Sequence, residues 1–460
     1  MNPETINGHC DEIDHLTALI RTEAATPTPP DPRPPLDVTL VEAGADLQAV
    51  LAEGGSGLYV LAAGETFARG SGFQLATPQV ALSGAGETTL AAETAPAVTV
   101  PVGMQGVFLG NLGLQASRSE VVVLLGRNDS QQTTVAQAPR RIVCRRLVSS
   151  GHRGKRVVEV NAREVYLADL DVRDAYDPEQ LDSQAICMLN APGPLLVEDS
   201  YLEGASETFM CGGDTMKIPG VRPSGITFRR VKLTKYPAWR TQGIKVKNIF
   251  ELKDGHHVLI EECELWFCWK SGQDGYCFMF TPSNGGSLRN VVVKTCQVWD
   301  VGGIVNITGT DASGINPERT QVSVLGGEYR TNVGAMGGTG RYALITRGPE
   351  WFITEGAVIA HEGASFIDCA DQAPIDRLHI LNSTWNYGSY GVRIGGRNHG
   401  DNSLGLVDDL RIEGNTISGA HSQFKERYPH NTYVDGYVQR HRHPYSDEEW
   451  RWIRPLLDGD

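Results

Sequence analysis

The feature that most constrains this chain is a spacing. Apolar residues recur in a frame h-x-h-x-x-x-x-h that can be set down at Val107, Arg141, Val165, Leu195, Ile226, Val258, Val291, Val322, Trp351, Leu378 and Leu410. The third position then runs from Leu109 to Ile412 and the eighth from Leu114 to Ile417, apolar throughout, and only Arg141 breaks the first. Successive frames begin 24 to 34 residues apart, and a recurring unit of that size marks a solenoid. Between frames lies a second apolar run, such as AICML from Ala185, CFMF from Cys277 or SFIDC from Ser365, set off by Gly, Asn or Asp. Each unit therefore holds at least two short strands. Helical repeats are excluded, because no unit contains a twelve-residue stretch with 3.6 periodicity. The 52 glycines of 460 residues suit a chain that turns this often.

Strands of such repeats stack in parallel when each turn of chain lies on the last, about 4.8 Å per rung. The opening text after Asp46, LQAVLAEGGSGLYVLAAGETF, reads as helix, Gly turn, strand and Gly turn, and ITFRRVKL and VLIEECEL read as rung text. On these stretches the sequence resembles the right-handed parallel β-helix of the pectate-lyase-like superfamily, over about Asp37 to Ala420. The resemblance implies an all-β solenoid of about eleven or more rungs. It leaves function open, because that architecture carries lyases, hydrolases, epimerases, adhesins and bacteriophage spikes of the tailspike type.

The chain divides around this body. Residues 1–25 read as an acidic, amphipathic docking helix, and residues 26–36 contain TPTPPDPRPP, a stiff proline-rich linker. Residues 37–420 form the solenoid, and residues 421–460 are an aromatic, charged tail that caps the last rung or contacts a partner. An uncovered solenoid end would be an unpaired strand edge.

Charge and cysteine usage exclude several classes. A formal charge of −14 argues against a nucleic-acid partner, and no apolar run is long enough to insert in a membrane. Nine cysteines without a C-x-x-C pair read as buried free thiols rather than a disulfide framework or zinc site. Cys263 and Cys296 share the sixth frame position and should stack inside. GGTGR at Gly337 follows no strand and opens no helix, so no phosphate loop is read there, and neither a metal nor a cofactor is expected.

The ninth frame position holds Trp266 and Trp299 in consecutive rungs, expected on the outer face as a platform for sugar rings. The seventh holds Glu264, Gln297 and Glu328, placing the two glutamates about 9.6 Å apart along the axis, a spacing that an inverting glycosidase could use. Asp300 follows Trp299 as a candidate partner acid. The aspartate cluster with arginine base of the calcium-dependent lyases, and the Asp-Asp and Gly-His-Gly signatures of polygalacturonase-like hydrolases, are not in register here. With a Met start and no export signal, the sequence reads as a bacteriophage virion protein. In this reading a capsid- or tail-attached spike docks on other virion proteins through residues 1–35, contacts host surface polysaccharide, and assembles as a homo-oligomer, of which a trimer is one form. The alternative is a polysaccharide lyase or glycoside hydrolase of this fold, exported by a signal-independent route.

Overall fold

The structure, a computed structural model, describes residues 38–180 and 182–435. The docking helix, the proline-rich linker and the end of the tail lie outside these residues. Within them the chain forms three parallel ladders. The first runs from Val38–Val41 through Leu195–Glu198, Ser224–Arg229 and Gly255–Glu261 to Val407–Glu413. The second runs from Thr66–Ala68 through Glu264–Cys268 and Gln297–Val301 to Thr432–Val434. The third is a twelve-stranded sheet that includes Gln184–Met188, Glu207–Cys211, Asn248–Leu252 and Tyr276–Phe280.

The constant length of the frame has a local cause. First- and second-ladder strands meet at one residue in the left-handed region: Asp169, Asp199, Arg230, Glu262, Thr295, Gly326, Gly356, Asn382 and Gly414, rung after rung, with φ between 48° and 67°. One such residue turns the chain sharply, and only glycine adopts it without steric cost. The inward residues on either side are thereby held at fixed separation, whereas the loops elsewhere in the rung vary in length. The sixth-position residue just past the corner points inward, and Cys263 and Cys296 stack there. Their thiols donate to the carbonyls of Glu261 at 3.4 Å and Ile260 at 3.3 Å. Burial raises the Cys263 thiol well above its ordinary value, and all eight described cysteines are buried free thiols.

Nine of the eleven frames match the observed register, and two slip by one residue. Val107 and Val165 pair with Ile142, not Arg141, and Val322 pairs with Phe352, not Trp351. Because side chains alternate, a slip of one reverses the face. Ile142 and Cys144 are fully buried in the core, whereas Val148, the eighth residue of the slipped frame, is 49 % exposed. Phe352 and Thr354 are likewise fully buried, whereas Trp351 is only half-buried, and Ile353, though 6 % exposed, lies outside the main core cluster. Arg141 broke the frame because it was never the anchor.

The ends are covered. Helix α1, Leu47–Glu53, is capped by Asp46, whose carboxylate accepts from the Ala49 amide, and it buries Leu47 and Leu51 against the core. At the other end Phe424 packs edge-on against Trp385 and Tyr387, with ring centroids 5.9 and 5.0 Å apart.

The ladders set a hierarchy of tolerance. Ile260→Asp or Val293→Asp places an unpaired charge in a fully buried stack and should cost more than about 4 kcal/mol. Lys294→Ala opens only a partly exposed ion pair to Glu261 and should cost about 1 kcal/mol or less. Cys144→Asp should behave like the core changes and Val148→Asp like the surface change. Denaturant midpoints of the five variants check this order, and the reverse result for the 144/148 pair would refute the observed register.

Candidate functional site

The tryptophan pair is stacked but not open. Trp266 and Trp299 lie one above the other, with centroids 5.1 Å apart and planes at 4°. They are only 8 % and 7 % exposed, inside a second apolar cluster with Ala205, Trp239, Val246, Phe267, Trp269 and Met336. Two short helices belong to this cover: α2, Ala238–Thr241, supplies Trp239, and α3, Val333–Met336, supplies Met336. The expected sugar platform is therefore a packing surface, because connecting segments of the rungs fold back over it.

Asp300 belongs to that cover. It is 2 % exposed and accepts from the Asn332 amide at 2.7 Å, while the Asn332 carbonyl oxygen caps α3. Glu264, Gln297 and Glu328 stack in register along the second ladder. Each glutamate faces a cation of its own, Lys232 at 3.8 Å from Glu264 and Arg330 at 2.9 Å from Glu328, and both carboxylates are well exposed. The five residues singled out in the sequence thus form no shared site.

A denser constellation lies on the outer face of the third ladder. Just after their first residue its strands carry two consecutive residues that both turn into the core, as in Ala185 and Ile186, Ile249 and Phe250, or Cys277 and Phe278. The residues on either side of such a pair face outward. This puts Arg156, Gln184, Glu207 and Asn248 in one outer column and Glu159, Cys187, Met210, Glu251, Met279, Asn306, Leu344, Asp368 and Arg393 in another.

Glu207 is 2 % exposed and is bonded on both oxygens. Gln184 donates to one at 2.7 Å, and the Lys247 ammonium lies 3.3 Å from the other. Lys247 also pairs with Asp182 at 2.5 Å. In the next rung Asn248 donates to Glu251 at 2.8 Å, and Glu251 is paired with Lys253, which reaches Thr281 at 2.8 Å. Four rungs on, about 19 Å by strand spacing, one oxygen of Asp368 accepts from Arg393 at 3.2 Å and is ion-paired with Arg341 at 3.1 Å. Among the described residues no group of His, Cys, Asp and Glu is arranged to hold a metal ion.

Burial, with the Glu251 carboxylate close by, pushes Glu207 up to about 7 against the pull of Lys247 and Gln184. A carboxyl poised there exchanges a proton at neutral pH. This constellation was hidden in the sequence because ETFMC and NIFEL carry charges inside short apolar runs, and strict alternation assigns Glu207 the same face as Phe209. The double inward step at the strand start reverses that assignment.

No protein-family model matches the chain, and no curated protein sequence matches it. Solved structures do. A tailspike protein of E. coli bacteriophage HK620 in complex with pentasaccharide aligns over 86 % of this chain and 76 % of its own, with TM-score 0.50 and 10 % identity. The fold is the parallel β-helix. A mannuronic acid specific polysaccharide family 6 lyase from human gut microbiota aligns over 92 % of this chain and 94 % of its own, with TM-score 0.48 and 9 % identity. A GH87 alpha-1,3-glucanase catalytic domain in complex with tetrasaccharides aligns over 84 % and 69 %, with TM-score 0.47 and 13 % identity.

Two measurements follow from this geometry. Trp266→Ala and Trp299→Ala should each cost about 3–5 kcal/mol, as for other large buried aromatics, read as a fall in denaturant midpoint with no sugar present. For Glu207 the folded state holds the proton more tightly than the unfolded one, whose carboxyl keeps its usual value of 4.5. Stability is therefore lost as pH rises through the window from 4.5 to about 7. Glu207→Gln, which mimics the protonated form, should raise Tm at pH 8 and leave it nearly unchanged at pH 4.5. Equal shifts at both pH values would contradict the assignment.

Proposed function

We propose that this protein is a spike-type β-helix that binds an anionic polysaccharide along the outer face of its third ladder. One observation carries the reading. Lys247, Lys253, Arg341 and Arg393 are each about a quarter exposed, at 26, 25, 27 and 29 %, while their partners Glu207, Glu251 and Asp368 are buried at 3, 2 and 5 %. These three carboxylates lie beneath and the cations reach solvent; the exposed Asp182, at 48 %, offsets Lys247, so the surplus positive charge of this face lies toward Arg341 and Arg393, on a chain whose overall charge is −14. Arg341 and Arg393 share a single carboxylate and leave one positive charge over, suited to the carboxylate, sulfate or phosphate of a sugar unit. Tyr390, 41 % exposed with the Arg393 guanidinium 5.6 Å from its ring, adds a flat apolar surface beside them.

In this reading the protein is a bacteriophage virion component that meets host surface polysaccharide. Residues 1–35 attach it to other virion proteins, and the chain assembles as a homo-oligomer. The layout of a separate N-terminal segment, a proline-rich spacer and a long β-helix supports it. A second reading, a polysaccharide lyase or inverting glycoside hydrolase, is favoured by Glu207, a carboxyl that titrates near neutrality beside a row of cations. The two coincide in a spike that degrades its receptor.

Calorimetry with oligomannuronate and oligogalacturonate as anionic probes, and a neutral oligoglucan as control, tests the binding claim. The anionic probes should bind and the neutral one should not. Arg341→Ala combined with Arg393→Ala should weaken binding at least about tenfold, with a reduced salt dependence. Equal binding of neutral and anionic probes would overturn the proposal. Loss of polymer cleavage in Glu207→Gln with binding retained selects the enzyme, whereas no cleavage by the parent protein selects the binding spike.

A further inference from the structure

Lys235 follows the second-ladder strand Lys232–Thr234 and is fully buried inside the solenoid. Its ammonium donates to three carbonyls, those of Gly204 at 2.7 Å, Ser206 at 2.9 Å and Asn248 at 2.6 Å, with the Thr208 hydroxyl as a longer shared contact at 3.3 Å, all four oxygens being neutral. Ser206 and Thr208 are the two neighbours of Glu207. Asn248 opens the next third-ladder strand and gives its side-chain amide to Glu251. A single internal cation therefore holds the backbone carbonyl just before Glu207 and the Thr208 side chain just after it, and ties them to the residue that orients Glu251.

A buried lysine is costly to keep, and a methionine of similar length would pack without desolvating a charge. Removing the ammonium would leave three inward carbonyls without this donor. We propose that Lys235 is a positioning residue for the outer-face pair: from inside the solenoid it fixes the two strands that carry Glu207 and Glu251, and its charge keeps the Glu207 carboxylate accessible at neutral pH. This rests on the reading of Glu207 as the functional acid.

The electrostatic surroundings are consistent with that role. Lys235 is faced by Glu207, Cys268, Cys277 and Lys247, and burial draws it down to about 8. The two thiols are raised by burial and carry no charge near neutrality. Glu207 is faced by Glu251, Lys247, Asp182 and Gln184. Taking away the internal cation leaves Glu207 with its burial, its acidic neighbours and Lys247 as its one remaining cation, so its proton should be held more tightly.

The test needs no ligand. Tm is measured between pH 4.5 and 9 for the parent, Glu207→Gln, Lys235→Met, Lys235→Gln and each Lys235 variant combined with Glu207→Gln. The difference between each protein and its Glu207→Gln counterpart reports the titration of Glu207, linked in the parent to that of Lys235 and freed of that link in the neutral Lys235 backgrounds. Its midpoint should lie near 7 in the parent and move up by about half a unit or more, roughly threefold in proton affinity, in both neutral Lys235 backgrounds. An unmoved midpoint in a folded Lys235 variant overturns the proposal. If neither single Lys235 variant folds, the double variants decide. Folding restored by Glu207→Gln supports the role, because the carboxylate is what the cation serves, whereas no restoration assigns Lys235 to packing alone and overturns it. A parent difference that is flat with pH would instead refute the reading of Glu207 and leave the Lys235 cage untouched.

Discussion

Every other feature depends on the one-residue corner between the first and second ladders. A left-handed residue at the same place in each rung, from Asp169 to Gly414, makes consecutive rungs superimposable, so like positions stack. From that follow the thiol pair of Cys263 and Cys296, the stacked Trp266 and Trp299, and the cross-rung charge chain in which Arg229 bridges Glu198 and Glu261 and Lys294 continues from Glu261. L-residues at most of these corners carry the steric cost of the left-handed region, offset by hydrogen bonding to the next rung. Asp199 and Arg230, adjacent corners, are joined by two bonds of 2.8 and 2.9 Å.

Stacking also explains how the outer face of the third ladder concentrates charge. The inward pair at each strand start lets Phe209, Phe250 and Phe278 fill the core behind the strands that present Glu207 and Glu251. The covered tryptophans contribute at a distance. The segment that lays Trp239 and Val246 over them continues directly into Lys247 and Asn248, and the segment after Trp269 delivers Gln273 to Asn248 at 3.3 Å. The opposite margin is braced by Trp239, whose indole donates to Asp174 at 2.8 Å, with Asp174 in turn held by Arg153 at 2.6 Å. The apolar cluster is thus the support on which the polar face is built.

Much of the fold was legible in the sequence because burial in a solenoid is written as a spacing. The inward ladder, the stacked cysteines and the stacked indoles could all be read from the frame. Two things could not. A frame cannot distinguish Arg141 from Ile142 as anchor when its later positions fall on apolar residues, Val143 and Val148, so a one-residue slip passes unnoticed in text such as RRIVCRRLV. Nor can it show what long connecting segments cover: Trp266 and Trp299 point outward as expected, yet α2 and α3 fold over them. The polar constellation was missed for the converse reason, because Glu207 and Glu251 sit in apolar-looking strands whose phase is reset by the double inward step.

The most direct test of the central claim, that the third-ladder face receives an anionic glycan, is a crystal structure of the protein with bound oligomannuronate. The account predicts a sugar chain lying across successive third-ladder rungs, with carboxylates on Arg341 and Arg393 and further contacts to Lys247 or Lys253. A chain seated instead on the second-ladder face beside Glu264 and Glu328, or on the covering segments over the tryptophans, would contradict it.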